Sequence, residues 1–156
     1  MSDYRVEKIQ VPAELSLTQG PPVSGSFFVA GSASGHDGPE RVSDLLNGPM
    51  GFLPFQRADG TITLYNHAHI VVVRLGEDVL EAQSHPGYAV ARKQRVSMLL
   101  SNGETLAGFA PIYRPPGSDR LSDYAQFHEP FRYLVMADRT LLVNSSHIVE
   151  LTEIAD

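Results

Sequence analysis

The segments LYNHAHIVVV (residues 64–73) and LVNSSHIVEL (residues 142–151) repeat one pattern. In both, an apolar run leads to Asn, two small or polar residues, His, Ile and Val, and the second segment follows the first by 78 positions. Upstream of them, ERVSDLLN (40–47) matches DRLSDYAQ (119–126) at an offset of 79. The order of the blocks is the same in the two parts of the chain, which indicates an internal duplication.

A third block extends the match towards the N-terminus. VSGSFF (23–28) corresponds to LAGFAP (106–111) at an offset of 83, and the offsets change only where loops can absorb insertions. We therefore predict a first repeat over 1–75, a linker over 76–91 and a second repeat over 92–156.

Composition excludes several kinds of protein. The chain of 156 residues has a formal net charge of −6 and no cysteine. Disulfides, thiolate metal sites and cysteine nucleophiles are thereby excluded, and the acidic balance disfavours a strong non-specific binder of nucleic acid. The N-terminal MSDYRVEKIQ lacks the apolar segment of a secretory signal. Because the longest strongly apolar run, 70–73, is too short to cross a bilayer, we expect a cytoplasmic protein that does not bind membranes.

Each repeat is predicted to contain two strands, a short helix, and a further strand followed by a long run that bends into two strands at the Asn–x–x–His phrase. Asp59-Gly60 and Asn102-Gly103 are typical of tight hairpin turns. Gly108, inside a predicted strand, indicates a bend or a close backbone approach. Helices are predicted over 39–47 and from about residue 120.

The stretches LSNGETLAGF and FRYLVMADRTLLVNSSHIVEL resemble the Sm-like family, most of all its bacterial Hfq-like branch. LYNHAHI is similar to the phrase with which that family ends its fold. The resemblance implies an all-β protein made of two tandem five-stranded barrels, each with an inserted helix. It also implies edge-to-edge assembly into rings, although the linker and the helices favour a smaller state. The chain also resembles uncharacterised bacterial domains with an RLSD…VN…HI pattern.

The candidate ligand-binding residues are Asn66, His69, Asn144 and His147. The resemblance to the Sm-like family implies a nucleotide contact at this phrase. However, this chain has Asn at the position where the family has Lys. The alternative is that Asn shapes the bend between two strands, since Asn tolerates a left-handed conformation and caps its own backbone. The histidine would then bridge neighbouring strands.

A metal site is a weaker hypothesis. His67 and His69 lie two residues apart, which would place both imidazoles on one face of a strand. His36 and Asp37 are the candidate further ligands. The second repeat has Ser145 in place of His67, and no third ligand is fixed by spacing, so we predict neither a metal nor another cofactor.

Two matched pairs of charged residues are candidates for binding a partner: Arg41 with Asp44, and Arg120 with Asp123. Their spacing also allows each pair to bind locally on one helix. ARKQR (91–95) is the one basic cluster in the sequence and would form an anion-binding rim or a solvated face.

No catalytic motif is present, since the sequence lacks a Gly-rich phosphate loop, a nucleophile elbow and HExxH. We therefore predict a non-catalytic protein–protein interaction or scaffold module whose partner is another protein or the chain itself. An RNA-binding Sm-like protein is the alternative, and the metal-binding protein is the weaker one.

Overall fold

The computed structural model describes residues 8–33, 36, 38–113, 120–125 and 129–155, and for residue 123 it describes the backbone only. Within these residues the chain forms ten strands and two short α-helices. In chain order they are β1 (Lys8–Leu17), β2 (Val23–Ala30), α1 (Val42–Leu46), β3 (Phe52–Arg57), β4 (Ile62–Asn66), β5 (Ile70–Leu75), β6 (Arg92–Leu100), β7 (Thr105–Ile112), α2 (Leu121–Ala125), β8 (Phe131–Val135), β9 (Thr140–Asn144) and β10 (Ile148–Glu153). One-turn 3₁₀ helices, His67–His69 and Ser145–His147, lie between β4 and β5 and between β9 and β10.

The strands form one open antiparallel sheet in the order β10-β6-β7-β8-β9-β5-β1-β2-β3-β4. We call β1–β5 the first half and β6–β10 the second half. Each half has the same internal order: its fifth, first, second, third and fourth strand. The halves meet where β5 pairs with β9, with Val72 opposite Val143 and Arg74 opposite Leu141. We call this contact the inter-half interface, and we call the outer edges of β4 and β10 the open edges.

The predicted all-β class is confirmed, but the strand pairing does not support two Sm-like barrels that close separately. The pairing of β5 with β9 joins all strands into one sheet. The reason lies in the apolar run at 70–73, all of which is buried. A strand that is apolar on both faces needs cover on both sides. Ile70 and Val73 pack in the core of the first half, while Val71 and Val72 pack in the core of the second.

Each half has a glycine on its second strand, at a point where the backbone of the neighbouring strand lies too close for a side chain. A Cβ added at Gly25 would lie 2.0 Å from the Gln56 carbonyl oxygen, and one added at Gly108 would lie 2.7 Å from that of Val135. No side chain fits between the strands at these points. The close backbone approach predicted for Gly108 is therefore confirmed, and Gly25 is its counterpart.

The predicted hairpin turns are also confirmed. Gly60 and Gly103 have φ angles of 89° and 91°, a region that glycine adopts without a steric penalty. The preceding Asp59 and Asn102 accept hydrogen bonds from the backbone N–H two residues later, at 2.9 Å and 3.0 Å. The bend of each last run at its Asn–x–x–His phrase is confirmed as well, because a 3₁₀ turn separates two strands there.

The segment predicted as a linker packs against the sheet. Glu81 and Ala82 are buried, and the Tyr113 hydroxyl donates to the Ala82 carbonyl at 3.0 Å. The segment thus adds its own contacts to those that hold the halves together.

Candidate functional site

Asn66 and Asn144 each cap a 3₁₀ turn. The Asn66 Oδ1 accepts from the Ala68 N–H and the Asn144 Oδ1 from the Ser146 N–H, both at 3.0 Å. Their φ angles are −69° and −73°, so the left-handed conformation that we considered for them does not occur. The bend is accompanied by a side-chain cap with ordinary backbone angles.

The two histidines bridge neighbouring strands in matching ways. His69 Nδ1 lies 2.9 Å from the Thr18 Oγ1, and His147 Nδ1 lies 2.7 Å from the Ser101 Oγ. In each case the backbone of the same Thr or Ser also donates to the carbonyl of that histidine. This geometry agrees with the structural interpretation of the phrase.

The second phrase also forms hydrogen bonds with the first half. The Asn144 amide nitrogen donates to the Ile70 carbonyl at 3.0 Å, in a buried position. His147 Nε2 lies 2.7 Å from the Ala68 carbonyl. Because a carbonyl oxygen only accepts, His147 carries a proton on Nε2 and its Nδ1 faces the Ser101 hydroxyl. Both residues therefore hold the inter-half interface together.

In the first phrase, the corresponding polar groups form no such hydrogen bonds. Among the residues that the structure describes, the Asn66 amide nitrogen and His69 Nε2 have no hydrogen-bond partner, and His69 is exposed. The four residues that we singled out from the sequence thus do not form one pocket. Two are used inside the chain and two lie beside an open edge.

Side chains of the two halves interlock at the inter-half interface. Phe131 and Leu142 of the second half are buried in the core of the first half. Val71 and Val72 of the first half are buried in the core of the second. Each such side chain stabilises the folded state by roughly 1.5–3 kcal/mol relative to an exposed one.

The positions that correspond to these residues at the open edges are exposed. Phe52 on β3 pairs with Asn66 as Phe131 on β8 pairs with Asn144, yet Phe52 is 56% exposed and Leu64, the counterpart of Leu142, is 62% exposed. Val149, the counterpart of Val71, is 62% exposed. Large apolar side chains on an unpaired strand edge mark a surface for pairing with another strand.

The sequence pattern did not predict this surface. Identity between the repeats does not reveal it, because the informative difference lies in the surroundings of apolar residues at matched positions. ITLYN in β4 and TLLVN in β9 are equally apolar, and only the sheet order reveals that β4 is unpaired on one side.

A polar cluster links the inter-half interface to α1. The Glu81 carboxylate accepts from the backbone N–H groups of Val42 at 2.6 Å and Ser43 at 3.2 Å, where α1 begins. The Tyr133 hydroxyl lies 3.0 Å from Glu81 Oε1 and 2.8 Å from the Ser43 Oγ. Because it has one proton, it donates to Glu81 and accepts from Ser43. Burial raises the pKa of the Glu81 carboxyl, and these hydrogen bonds oppose the rise.

Further contacts cross the same interface. The Asn47 side chain pairs with both backbone groups of Phe131, at 2.8 Å to the N–H and 3.1 Å to the carbonyl. Arg74 on β5 binds Glu104 in the second half and the hydroxyl of Ser16.

The predicted partner-binding residues have mostly local contacts. Asp44 accepts from the Arg41 backbone N–H at 2.8 Å and lies 2.7 Å from His36 Nε2. Arg120 is exposed just before α2, and the side chain of Asp123 lies outside the described part of the chain. The two pairs are thus not brought together into one surface.

A cavity of about 680 Å³ opens beside α1. Its lining includes Arg41, Asp44, His85, Tyr113, Glu129 and Arg132. Its lining carries both carboxylates and guanidinium groups, so its charge favours no one class of ligand.

The geometry expected for a metal pair is absent. His67 and His69 lie in a 3₁₀ turn instead of a strand, and residues two apart in such a turn point in different directions. Asp37, the other candidate ligand, lies outside the described residues. Within those that are described, no group of three or more His, Asp or Glu residues is placed to hold a metal ion.

The basic cluster at 91–95 is engaged with neighbouring side chains. Lys93 lies over the Tyr88 ring at 4.3 Å and Arg95 over the Phe109 ring at 4.7 Å. Arg92 lies 2.8 Å from Gln94 Oε1. These contacts orient the three side chains along the protein surface and leave their positive charges in place.

In the described part of the chain, neither helix has the length and apolar character needed to cross a membrane. Comparison with family models, curated proteins and solved structures finds no match to this chain.

Proposed function

We propose that this chain is a non-catalytic protein–protein interaction or scaffold module, which binds its partner by extending the ten-stranded sheet. One observation carries the proposal. Three of the four apolar residues that interlock at the inter-half interface have apolar counterparts on or beside the open edges, namely Phe52, Leu64 and Val149, and these are more than half exposed. The counterpart of the fourth, Val72, is Glu150.

The inter-half interface indicates what such an edge can bind. There, β5 and β9 pair through their backbones, while apolar side chains of each half enter the core of the other. Strand addition of this kind takes its affinity from main-chain hydrogen bonds and its specificity from alternate side chains. A partner that supplies a strand would cover the open edges in the same way.

The Sm-like relationship and the origin by duplication are part of this proposal. The identical strand order of the halves supports both, as do the matched glycines Gly25 and Gly108. Fold-level likeness does not by itself assign a function, so the proposed activity rests on the edges.

RNA binding by the Asn–x–x–His phrases is the second candidate. The free donors of Asn66 and His69 favour it, whereas Asn144 and His147 are used inside the chain. Phosphate contacts would make such binding fall steeply with salt.

Cross-linking of the tagged full-length chain in its own host tests the proposal. We expect cross-linked polypeptides with the natural chain and with Val90→Lys, since Val90 is exposed in the segment between the halves. The same products should be lost with Leu64→Lys or Val149→Lys. Identical products from all four chains would overturn the proposal, and so would a ribonuclease-sensitive product alone.

A further inference from the structure

The cavity beside α1 lies where the two halves meet. Arg41 and Asp44 line it from the first half, His85 from the segment between the halves, and Tyr113 and Tyr124 from the second half. Its volume of about 680 Å³ falls within the range of about 300–1,000 Å³ that is usual for sites that bind small molecules. A molecule bound there would contact both halves at once.

Two carboxylates at the cavity already have hydrogen-bond partners. Asp44 accepts from the Arg41 backbone N–H at 2.8 Å and lies 2.7 Å from His36 Nε2. Glu40 accepts from the Ala30 backbone N–H at 2.9 Å. These carboxylates are therefore less available to a ligand than a count of charges alone would indicate.

Arg132 and Glu129 compensate each other at the same cavity. The Arg132 guanidinium is buried and donates to the backbone carbonyls of Tyr124 and Glu129. Burial raises the pKa of the Glu129 carboxyl, and the Arg132 charge opposes that rise. The attraction between these opposite charges leaves neither of them as the main determinant of ligand charge.

The Arg41 side chain differs from the other charged groups. Within the described part of the chain, its half-buried guanidinium forms neither an ion pair nor a hydrogen bond. A guanidinium presents its N–H groups in a planar fork that matches the two oxygens of a carboxylate. Arg41 is thus a cation at the cavity that is available to an anionic group.

Two further groups at the cavity can donate to a ligand. His85 Nδ1 accepts from the Gly87 N–H at 3.0 Å, so the neutral imidazole carries its proton on Nε2. Burial and the Arg41 charge both lower the pKa of His85, which favours this neutral form. The buried Tyr124 hydroxyl has no hydrogen-bond partner, whereas the Tyr113 hydroxyl donates to a backbone carbonyl. A ligand suited to these groups brings acceptors.

The walls of the cavity favour a flat apolar body. The His85 and Tyr113 rings stack with their centroids 4.1 Å apart. Ile112 and Phe131, both buried, also line the cavity. We propose that this cavity binds a small aromatic carboxylate, with Arg41 anchoring the carboxylate and the ring lying against the apolar walls. The site does not involve the open edges, so this inference goes beyond the proposed function and is independent of it.

Isothermal titration calorimetry of the purified full-length chain tests the proposal with three probes of similar shape: naphthoate, naphthamide and naphthylmethylammonium. We expect one naphthoate to bind per chain, about tenfold or more tightly than naphthamide, because hydrogen bonds to charged groups are the stronger ones. The ammonium probe should not bind, since it would face the Arg41 guanidinium.

The anchor is tested with a matched pair of variants. Arg41→Gln keeps the backbone N–H that Asp44 binds and should weaken naphthoate binding by about tenfold, with naphthamide binding unchanged. Arg57→Gln removes the same charge at the exposed end of β3 and should leave both affinities unchanged. The pair separates a direct contact from a general effect of net charge.

Tyr124→Phe separates ligand binding from folding. Because the hydroxyl has no partner in the free chain, its removal should not lower the midpoint temperature of unfolding. It should weaken naphthoate binding by about threefold or more, as expected for the loss of one hydrogen bond. Tyr133→Phe, which loses contacts with Glu81 and Ser43, should lower the midpoint instead.

Three results would each overturn the proposal: no saturable binding of naphthoate, equal affinities for naphthoate and naphthamide, or equal losses in Arg41→Gln and Arg57→Gln. None of them bears on the open edges, so the proposed function would stand. Conversely, Leu64→Lys should bind naphthoate as the natural chain does, whether or not it loses its cross-linked partner.

Discussion

The inter-half interface and the open edges present matched residues in opposite environments. Leu142 is fully buried, and Leu64 at the corresponding position is 62% exposed. The sequence around them is similarly apolar, so local propensity does not explain the difference. What differs is whether a neighbouring strand is present.

The largest effect should come from placing a charge in the interface. Leu142→Lys buries an unpaired ammonium in the core of the first half and should lower the free energy of unfolding by about 4 kcal/mol. Leu64→Lys leaves its charge in water and should change that free energy by no more than about 0.5 kcal/mol. Urea denaturation of the monomeric chains, followed by circular dichroism, measures both. Equal losses would mean that β4 is covered within one chain.

Substituting the two asparagines separates the contribution of the cap to stability from that of the hydrogen bond between the halves. Asn66→Ala removes a cap and should cost about 1 kcal/mol of unfolding free energy. Asn144→Ala removes the same cap and also the donor to the Ile70 carbonyl, so we expect a total loss of about 2 kcal/mol. The same denaturation experiment gives the difference, which measures the inter-half hydrogen bond. If the two losses are equal, that bond contributes nothing.

The local structure was largely predictable because its causes are local. Asp59-Gly60 and Asn102-Gly103 form their turns from their own conformational preferences. The bend at each phrase arises from a side chain that caps the backbone two residues on. Both effects are encoded within a few residues, so pattern analysis detects them.

The joining of the halves was not predictable in the same way. Val71 and Val72 could have packed within one closed barrel or against a second set of strands. Deciding between these requires β9, which lies about 70 residues further along the chain. The roles of Asn144 and His147 follow from that long-range pairing, so sequence analysis identified these residues but not what they bind.

Glu81 allows the interface to be probed through pH. Burial raises its pKa in the folded chain above the ordinary value, so the folded state holds the proton more tightly than the unfolded state. The free energy of unfolding should therefore fall as the pH rises from about 4.5 through the raised pKa. Glu81→Gln keeps an acceptor for the Val42 N–H and should lose this part of the decrease.

Denaturation of both chains across this pH range gives the test. The difference between them isolates Glu81, because Glu129, whose pKa burial also raises, is present in each. Parallel curves would show that the Glu81 carboxyl titrates alike in the folded and unfolded states.

The smallest effect on stability should come from a substitution of Glu150, the residue at which the open edge differs most in charge from the interface. Glu150 stands at an open edge where the interface has the buried Val72. Glu150→Val should change the unfolding free energy of the monomer by no more than about 0.5 kcal/mol. It should nevertheless increase the yield of the cross-linked partner in the host, since pairing at the open edge no longer buries a carboxylate. Glu77→Val, at an exposed site between the halves, removes the same charge and should leave that yield unchanged. If cross-linking increases equally in both variants, net charge is the cause, and Glu150 is not the residue that distinguishes the open edge from the interface.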